Sequence, residues 1–165
     1  MSIYSVCQAL ENTWLGTAVR ERVYYIPQIF HLVGMALFGG AVVIDDLRLL
    51  GRVHKPAFSE LSRGLLPWKW AGFGFVVVGL SGFVIFISDA TRLYRNAGFQ
   101  WKVILLLLVA FNALLFRSKV FPNVVAGEKA GIIPRSAKIS AATSLLLWTG
   151  IILASRIIGF VGPEY

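Results

Sequence analysis

Four long apolar runs, separated by clusters of charge, constrain this chain more than any other feature. They cover about residues 23–44, 70–88, 101–116 and 139–161. A helix of about 20 residues crosses the roughly 30 Å of hydrocarbon in a bilayer. A soluble amphipathic helix of that length would interleave charges to make a solvated face; here the charges gather at the ends of the runs. Only 15% of the residues are charged and 57% are hydrophobic, where soluble domains carry roughly 25% charge. The expected fold is all-α, an integral membrane bundle of four transmembrane helices within residues 23–165. A short amphipathic surface segment, residues 1–22, precedes it.

The run ends are sharply drawn. Asp45, Asp46 and Arg48 close the first run, and Asp89, Arg92 and Arg95 follow the second. The third is the shortest and ends at Arg117 and Lys119. It spans only with Trp101 and Lys102 at the interface and the lysine snorkelling. Pro67, Pro122 and Pro134 are expected in the connections, since proline cannot continue a helix. Residues 1–22 lack the basic start and unbroken apolar core of a signal peptide, with Glu11 and Asn12 in the way. Tyr4, Val6, Leu10, Trp14 and Leu15 recur at helical spacing, which predicts a helix lying on the membrane surface. Phe58, Leu61, Leu65 and Leu66 predict a second amphipathic turn in the first connection.

The basic residues orient the bundle. Arg48, Arg52, Lys55, Arg63 and Lys69 in the first connection join Arg117, Lys119, Lys129, Arg135 and Lys138 in the third, ten in all. The other side has six: Arg20, Arg22, Arg92, Arg95, Lys102 and Arg156. The positive-inside rule then places both connections in the cytoplasm and both termini outside, periplasmic in a bacterium. The net charge of +8 follows from the same flanking residues, not from a basic face on a soluble domain, so nucleic acid is not an expected partner. The single cysteine, Cys7, leaves no intramolecular disulfide or cysteine metal framework and reads as a small apolar residue.

A polar group at membrane depth is expensive and calls for a reason. His31 lies about 12 Å into the first run from the outer side, at 1.5 Å per residue. Arg156, Lys102 and Asp89 fall in the same outer half, with Trp101, Tyr24 and Tyr25 nearby. Three readings of His31 stand open. Its neutral imidazole can ligate a b-type haem, or bind a quinone, with Arg156 and Lys102 pairing the acidic groups. His54, the other histidine, is too far along the chain to be a second axial ligand, so such a haem is five-coordinate or shared across a dimer. Alternatively His31 and Met35, at i and i+4, offer an imidazole and a thioether to copper. Thirdly, His31 hydrogen-bonds across helices and only holds the bundle together.

Asn112, midway along the third run, suits a bridge between helices more than a ligand. Trp148 can pack in the core or stack on a ring. Gly72, Gly74, Gly79 and Gly82, with the Ala36/Gly40 pair, suit close helix approach. Asp45, Asp46 and Arg48 suit an ion pair or helix cap at the inner interface. Neither a nucleophile with its base nor paired intramembrane carboxylates are present, and Gly72–Gly74 lacks the Lys-Ser/Thr of a phosphate loop. An autonomous hydrolase or ATPase is disfavoured.

Four stretches carry a resemblance. They are His31-Leu-Val-Gly-Met-Ala-Leu-Phe-Gly-Gly into Asp46-Leu-Arg-Leu-Leu-Gly51; Leu65-Leu-Pro-Trp68 with Trp70-Ala-Gly-Phe; Ser88-Asp-Ala90 and Lys102 ahead of Asn112-Ala-Leu-Leu-Phe; and Ser144-Leu-Leu-Leu-Trp-Thr-Gly150 leading to Arg156. The chain resembles an uncharacterised family of small bacterial four-helix membrane proteins over most of residues 23–160. It is more distantly similar to the copper resistance protein D family and related b-type cytochrome-like bundles. The resemblance implies the bacterial inner membrane and marks His31, Lys102, Asn112 and Arg156 as the family's polar positions. The resulting expectation is a cofactor site of His31, Lys102, Arg156, Asn112 and Trp148 holding haem b or quinone, with copper on His31 and Met35 as the alternative. Expected partners are the lipid bilayer, a membrane or periplasmic redox protein for which this chain is an electron-transfer or anchor subunit, and a second copy of itself.

Overall fold

The computed structural model describes residues 2–53, 66–128 and 132–159. Among them every regular element is helical. The order is α1 (Ile3–Glu11), α2 (Trp14–Ala18), a turn of π-helix (Val19–Val23), α3 (Tyr25–Leu49), α4 (Leu66–Ser88), α5 (Ala90–Arg95), α6 (Ala97–Leu115), a second π turn (Phe116–Val120), α7 (Phe121–Glu128) and α8 (Arg135–Ile158). Four helical stretches are long and apolar enough to cross a membrane: Tyr25–Leu49, Trp70–Ser88, Ala97–Gly127 and Arg135–Ile158. Their large apolar side chains face outward, with Leu80 and Leu107 each 65% exposed and Leu146 74% exposed. Apolar surface on that scale is untenable in water and is what lipid requires. The chain is a multi-pass membrane bundle. His54 and the amphipathic turn expected around Phe58, Leu61 and Leu65 lie outside the described residues.

Two tight helix pairs build the bundle. Between α3 and α4 the backbones touch through glycines. A Cβ on Gly34 would lie 2.7 Å from the Val78 nitrogen, and one on Gly74 would lie 2.8 Å from the Phe38 nitrogen. Absent side chains are what allow helices to approach this closely in lipid. The expected glycine face is thus partly relocated: Gly74 and Gly82 meet α3, but Gly40, Gly72 and Gly79 have nothing within 4 Å, and Gly34 makes the approach instead. Between α6 and α8, Asn112 Nδ2 donates to the Ser140 carbonyl and Ser140 Oγ donates to Asn112 Oδ1, both at 3.1 Å. Gly150 accommodates the Leu105 side chain and Gly98 lies beside the Ala154 carbonyl.

The pairs join along α3 and α8. Phe38 meets Trp148 edge-on at 5.7 Å and also meets Phe75 at 5.3 Å. Nearer the connections, Asp46 on α3 and Ser144 on α8 are both buried, and Asp46 Oδ2 has no hydrogen-bond partner among the described residues. Leu49, Val124, Ala137 and Ala141 form the core there, with Phe116 and Val120 against it. The packing order is therefore α4–α3–α8–α6. Among the described residues α4 and α6 do not pack along their lengths; they meet where Phe86 stacks on Phe99 at 5.6 Å.

Several helix limits differ from the sequence expectation. The first span carries Asp45, Asp46 and Arg48 inside its last turns and stops at Leu49. Gly51, at φ 73°, turns the chain, while Gly51 N donates to the Arg48 carbonyl and Arg52 N to the Leu47 carbonyl, both at 2.9 Å. This is the Schellman arrangement that satisfies the last carbonyls of a helix. The third span is not the shortest, since it continues past Arg117 and Lys119 through the π turn into α7. Pro122 is the second residue of α7, where the widened turn before it accommodates a nitrogen without a proton. The Asn123 side chain donates to the Lys119 carbonyl at 3.2 Å, satisfying an acceptor there. Pro67 likewise lies in the first turn of α4, where its missing N–H has no helical partner to lose.

At the face where α1, α2 and α5 gather, Cys7 is buried and α1 packs on α5. Thr13 caps α2 by accepting from Gly16 N at 3.2 Å. Glu11 accepts from the Thr91 backbone N–H at 3.1 Å and from the Thr91 hydroxyl, and pairs with Arg20 at 2.7 Å. Trp14, 84% exposed, is left free to enter the lipid interface.

Candidate functional site

Gly34 lies one turn beyond His31 on α3, and its contact with α4 brings the imidazole against that helix's backbone. His31 Nδ1 is 3.1 Å from the Val78 carbonyl and 3.2 Å from Ser81 Oγ. A carbonyl only accepts, so Nδ1 carries the proton. The Ser81 hydroxyl donates to the Val77 carbonyl at 2.6 Å, which leaves its oxygen to share the same imidazole proton. Nε2 of the neutral ring is then unprotonated, with its lone pair available. A methyl at Gly82 would lie 3.0 Å from His31 Cε1, so a larger residue there would push the ring away. Ser81 was not singled out from the sequence; the signal was a hydroxyl between Gly79 and Gly82 inside an otherwise apolar run.

Lys102 is half-buried on the stripe Lys102, Leu105, Val109, Asn112 and Phe116, the least exposed face of α6. Counting inward from the Phe86–Phe99 stack, four residues along α4 reach Gly82, which lies against His31, and three along α6 reach Lys102, so the two share a level. The three ion pairs among the described residues join Glu11 to Arg20, Asp45 to Arg48 and Asp89 to Arg92, and none includes Lys102. His31 and Lys102 therefore form the polar centre of the half of the bundle nearer α5.

The other expected site residues are distributed along the bundle. Arg156 is exposed near the end of α8. Continuing outward from the Phe38–Trp148 contact, seven residues along α3 reach His31 and eight along α8 reach Arg156, so the two share a level. Trp148 belongs to the aromatic cluster with Phe38 and Phe75, about 10 Å deeper than His31 at 1.5 Å per residue, and its Nε1 is buried without a hydrogen-bond partner. Asn112 is about 15 Å beyond Lys102 on α6, and Ser140 engages its amide. Met35 is half-buried one turn below His31. Asp89 hydrogen-bonds Arg92 Nε at 2.5 Å, and this bond above all holds the Arg92 guanidinium charged beyond its ordinary range. Trp101 and Tyr25 are each 62% exposed. No group of three or more His, Cys, Asp or Glu side chains among the described residues is placed to hold a metal ion.

The site can offer one nitrogen lone pair and one ammonium to a ligand, beside a hydroxyl already committed to positioning the ring. Comparison with curated proteins and with solved structures gives no match. A family description does match residues 11–161, which takes in all four spans and the loop before α2. The chain belongs to that family, DUF6644, a family of unknown function.

Proposed function

We propose that this chain is a bacterial inner-membrane protein, with both termini periplasmic, that binds haem b through His31 Nε2. It serves as an electron-transfer or membrane-anchor subunit beside another redox protein. The observation that carries the reading is the hydrogen bond from Nδ1 to the Val78 carbonyl. A histidine that ligates a metal characteristically donates its other ring N–H to a carbonyl or carboxylate, which fixes its tautomer and raises its basicity. Lys102 supports the reading as a cation for a propionate, and Arg156 stands at the same level. In this tautomer Nε2 has no proton to give a quinone carbonyl, so a metal-bearing ligand suits it better. Bound haem supplies reversible one-electron chemistry; the protein's own part is to hold the imidazole, exclude water and balance the acidic groups.

The test is the optical spectrum of protein purified from haem-replete membranes, air-oxidised and then reduced with dithionite. A Soret band with sharp reduced α and β bands, lost in His31→Ala, is expected. A featureless spectrum from folded protein sinks the haem reading. Metal analysis of the same sample then examines copper on His31 and Met35, the i, i+4 pair on α3.

One observation favours a second reading, a ligand-free structural subunit: the bond to Val78 already gives His31 a role in joining α3 to α4. On that reading His31→Ala loses folded protein, and the wild type shows neither haem nor copper.

A further inference from the structure

The packing order α4–α3–α8–α6 leaves one side of the four-helix arrangement open. Among the described residues α4 and α6 meet where Phe86 stacks on Phe99 at 5.6 Å, at the α5 end. Deeper in, they do not pack together, and the aromatic cluster of Phe38, Phe75 and Trp148 lies across α3, α4 and α8. The distance between these two aromatic levels is that from Phe86 to Phe75 on α4, about 16 Å at 1.5 Å per residue. The polar pair lies between them: His31 against Val78 and Gly82 of α4, and Lys102 on the least exposed face of α6, one turn in from Phe99. Lys102 takes part in none of the ion pairs formed among the described residues. Lys102 lies five residues inside the start of α6, about 8 Å at 1.5 Å per residue, where its ammonium needs an anion or a snorkelled route to water.

We infer that the open seam between α4 and α6 is a lateral, lipid-facing groove for a flat apolar ligand bearing carboxylates, and that Lys102 is the residue that reads the carboxylate. The inference deepens the proposed function by naming the chemical class the site selects, and haem is one member. Phe83, one turn from Phe86 on α4, and Leu106, two turns from Phe99 on α6, are exposed along this side, which suits a ligand already dissolved in the bilayer. A carboxylate against an ammonium in a poorly hydrated site adds a charge-assisted hydrogen bond that an ester cannot make.

The probe is protoporphyrin IX, which has the ring and both carboxylates but no iron for His31 to ligate. Its binding to the full chain in nanodiscs is followed by porphyrin fluorescence and compared with that of its dimethyl ester. The acid is expected to bind roughly tenfold tighter than the ester, the scale of one charge-assisted hydrogen bond. Lys102→Gln should erase the preference and Lys102→Arg should restore it. Equal binding of acid and ester to the wild type overturns the inference, and that comparison needs no variant to fold. A preference that persists in Lys102→Gln overturns the assignment of Lys102. The outcome is separable from the haem reading: a Lys102-dependent preference beside a featureless haem spectrum keeps the groove and rejects the haem. A His31-dependent Soret band with no acid preference does the reverse.

Discussion

Replacing Gly34 by alanine places a methyl carbon 2.7 Å from the Val78 nitrogen, 3.0 Å from the Gly74 carbonyl oxygen and 3.1 Å from Val77 Cγ1. Two of the three are backbone atoms, so no flexible side chain can swing aside for them. Restoring ordinary contact at about 3.4 Å requires α3 and α4 to part by about 0.7 Å, and overpacking of this kind costs about 1–3 kcal/mol. The same movement stretches the His31–Val78 bond from 3.1 Å to about 3.8 Å, beyond hydrogen-bonding range. Loss of an interhelical hydrogen bond in a membrane costs a further 0.6–1.7 kcal/mol or so. Alanine returns about 1 kcal/mol in helix propensity, for a net destabilisation of about 2 kcal/mol. The control is Gly79→Ala, on the same helix pair, where a Cβ meets nothing within 4 Å and only the propensity gain remains. Reversible unfolding in mixed micelles measures both, and nitrogen NMR of His31 reports whether Nδ1 keeps its proton. Equal shifts of the two unfolding midpoints would refute the backbone-contact argument. An unchanged His31 signal in a destabilised Gly34→Ala would refute its extension to the imidazole.

Three further outcomes follow from contacts elsewhere. Asn112→Ala removes both bonds to Ser140 and should cost about 1–2 kcal/mol in the same unfolding assay, while leaving any haem spectrum intact. Glu11→Gln weakens the charge-assisted contacts that tie α1 to Thr91 of α5 and to Arg20 in the first π turn; amides of residues 3–11 should exchange roughly tenfold faster, with α8 unchanged. Cys7, 5% exposed, should resist maleimide in the folded protein and react readily once denatured, with Glu11→Gln in between. Rapid labelling of native wild type would contradict the packing of α1.

The membrane fold was legible because hydrophobic length is a local property: each apolar run reads without knowing its neighbours. Helix ends were less so. Asp45, Asp46 and Arg48 look like a stop, yet the helix runs on to Leu49 and buries Asp46, and it is Gly51, in the left-handed region, that turns the chain. Pro122 looked like a break, and the π turn before it, set by backbone geometry rather than residue type, absorbs it. Among the glycines, composition marked α4 as a close-packing helix, but which glycine meets which backbone depends on rotation about the helix axis. Periodicity does not determine that phase: it points to Gly40, which meets nothing within 4 Å, while Gly34 makes the contact. His31 and Lys102 stood out as costly groups in apolar surroundings. Ser81 did not, because a serine in a helix can satisfy itself on its own backbone and leaves no conspicuous debt in the sequence.

The unbroken run from Ala97 to Gly127 has a mechanical consequence. Its 31 residues make a rod of about 46 Å, against about 30 Å of hydrocarbon. A tilt steep enough to hide that excess is well outside the usual range for spanning helices, so the α7 end stands proud of the acyl layer. The π turn carrying Arg117 and Lys119 then falls near the phosphate level, and α7 reaches past the acyl layer with Val124 still buried against Leu49, Ala137 and Ala141.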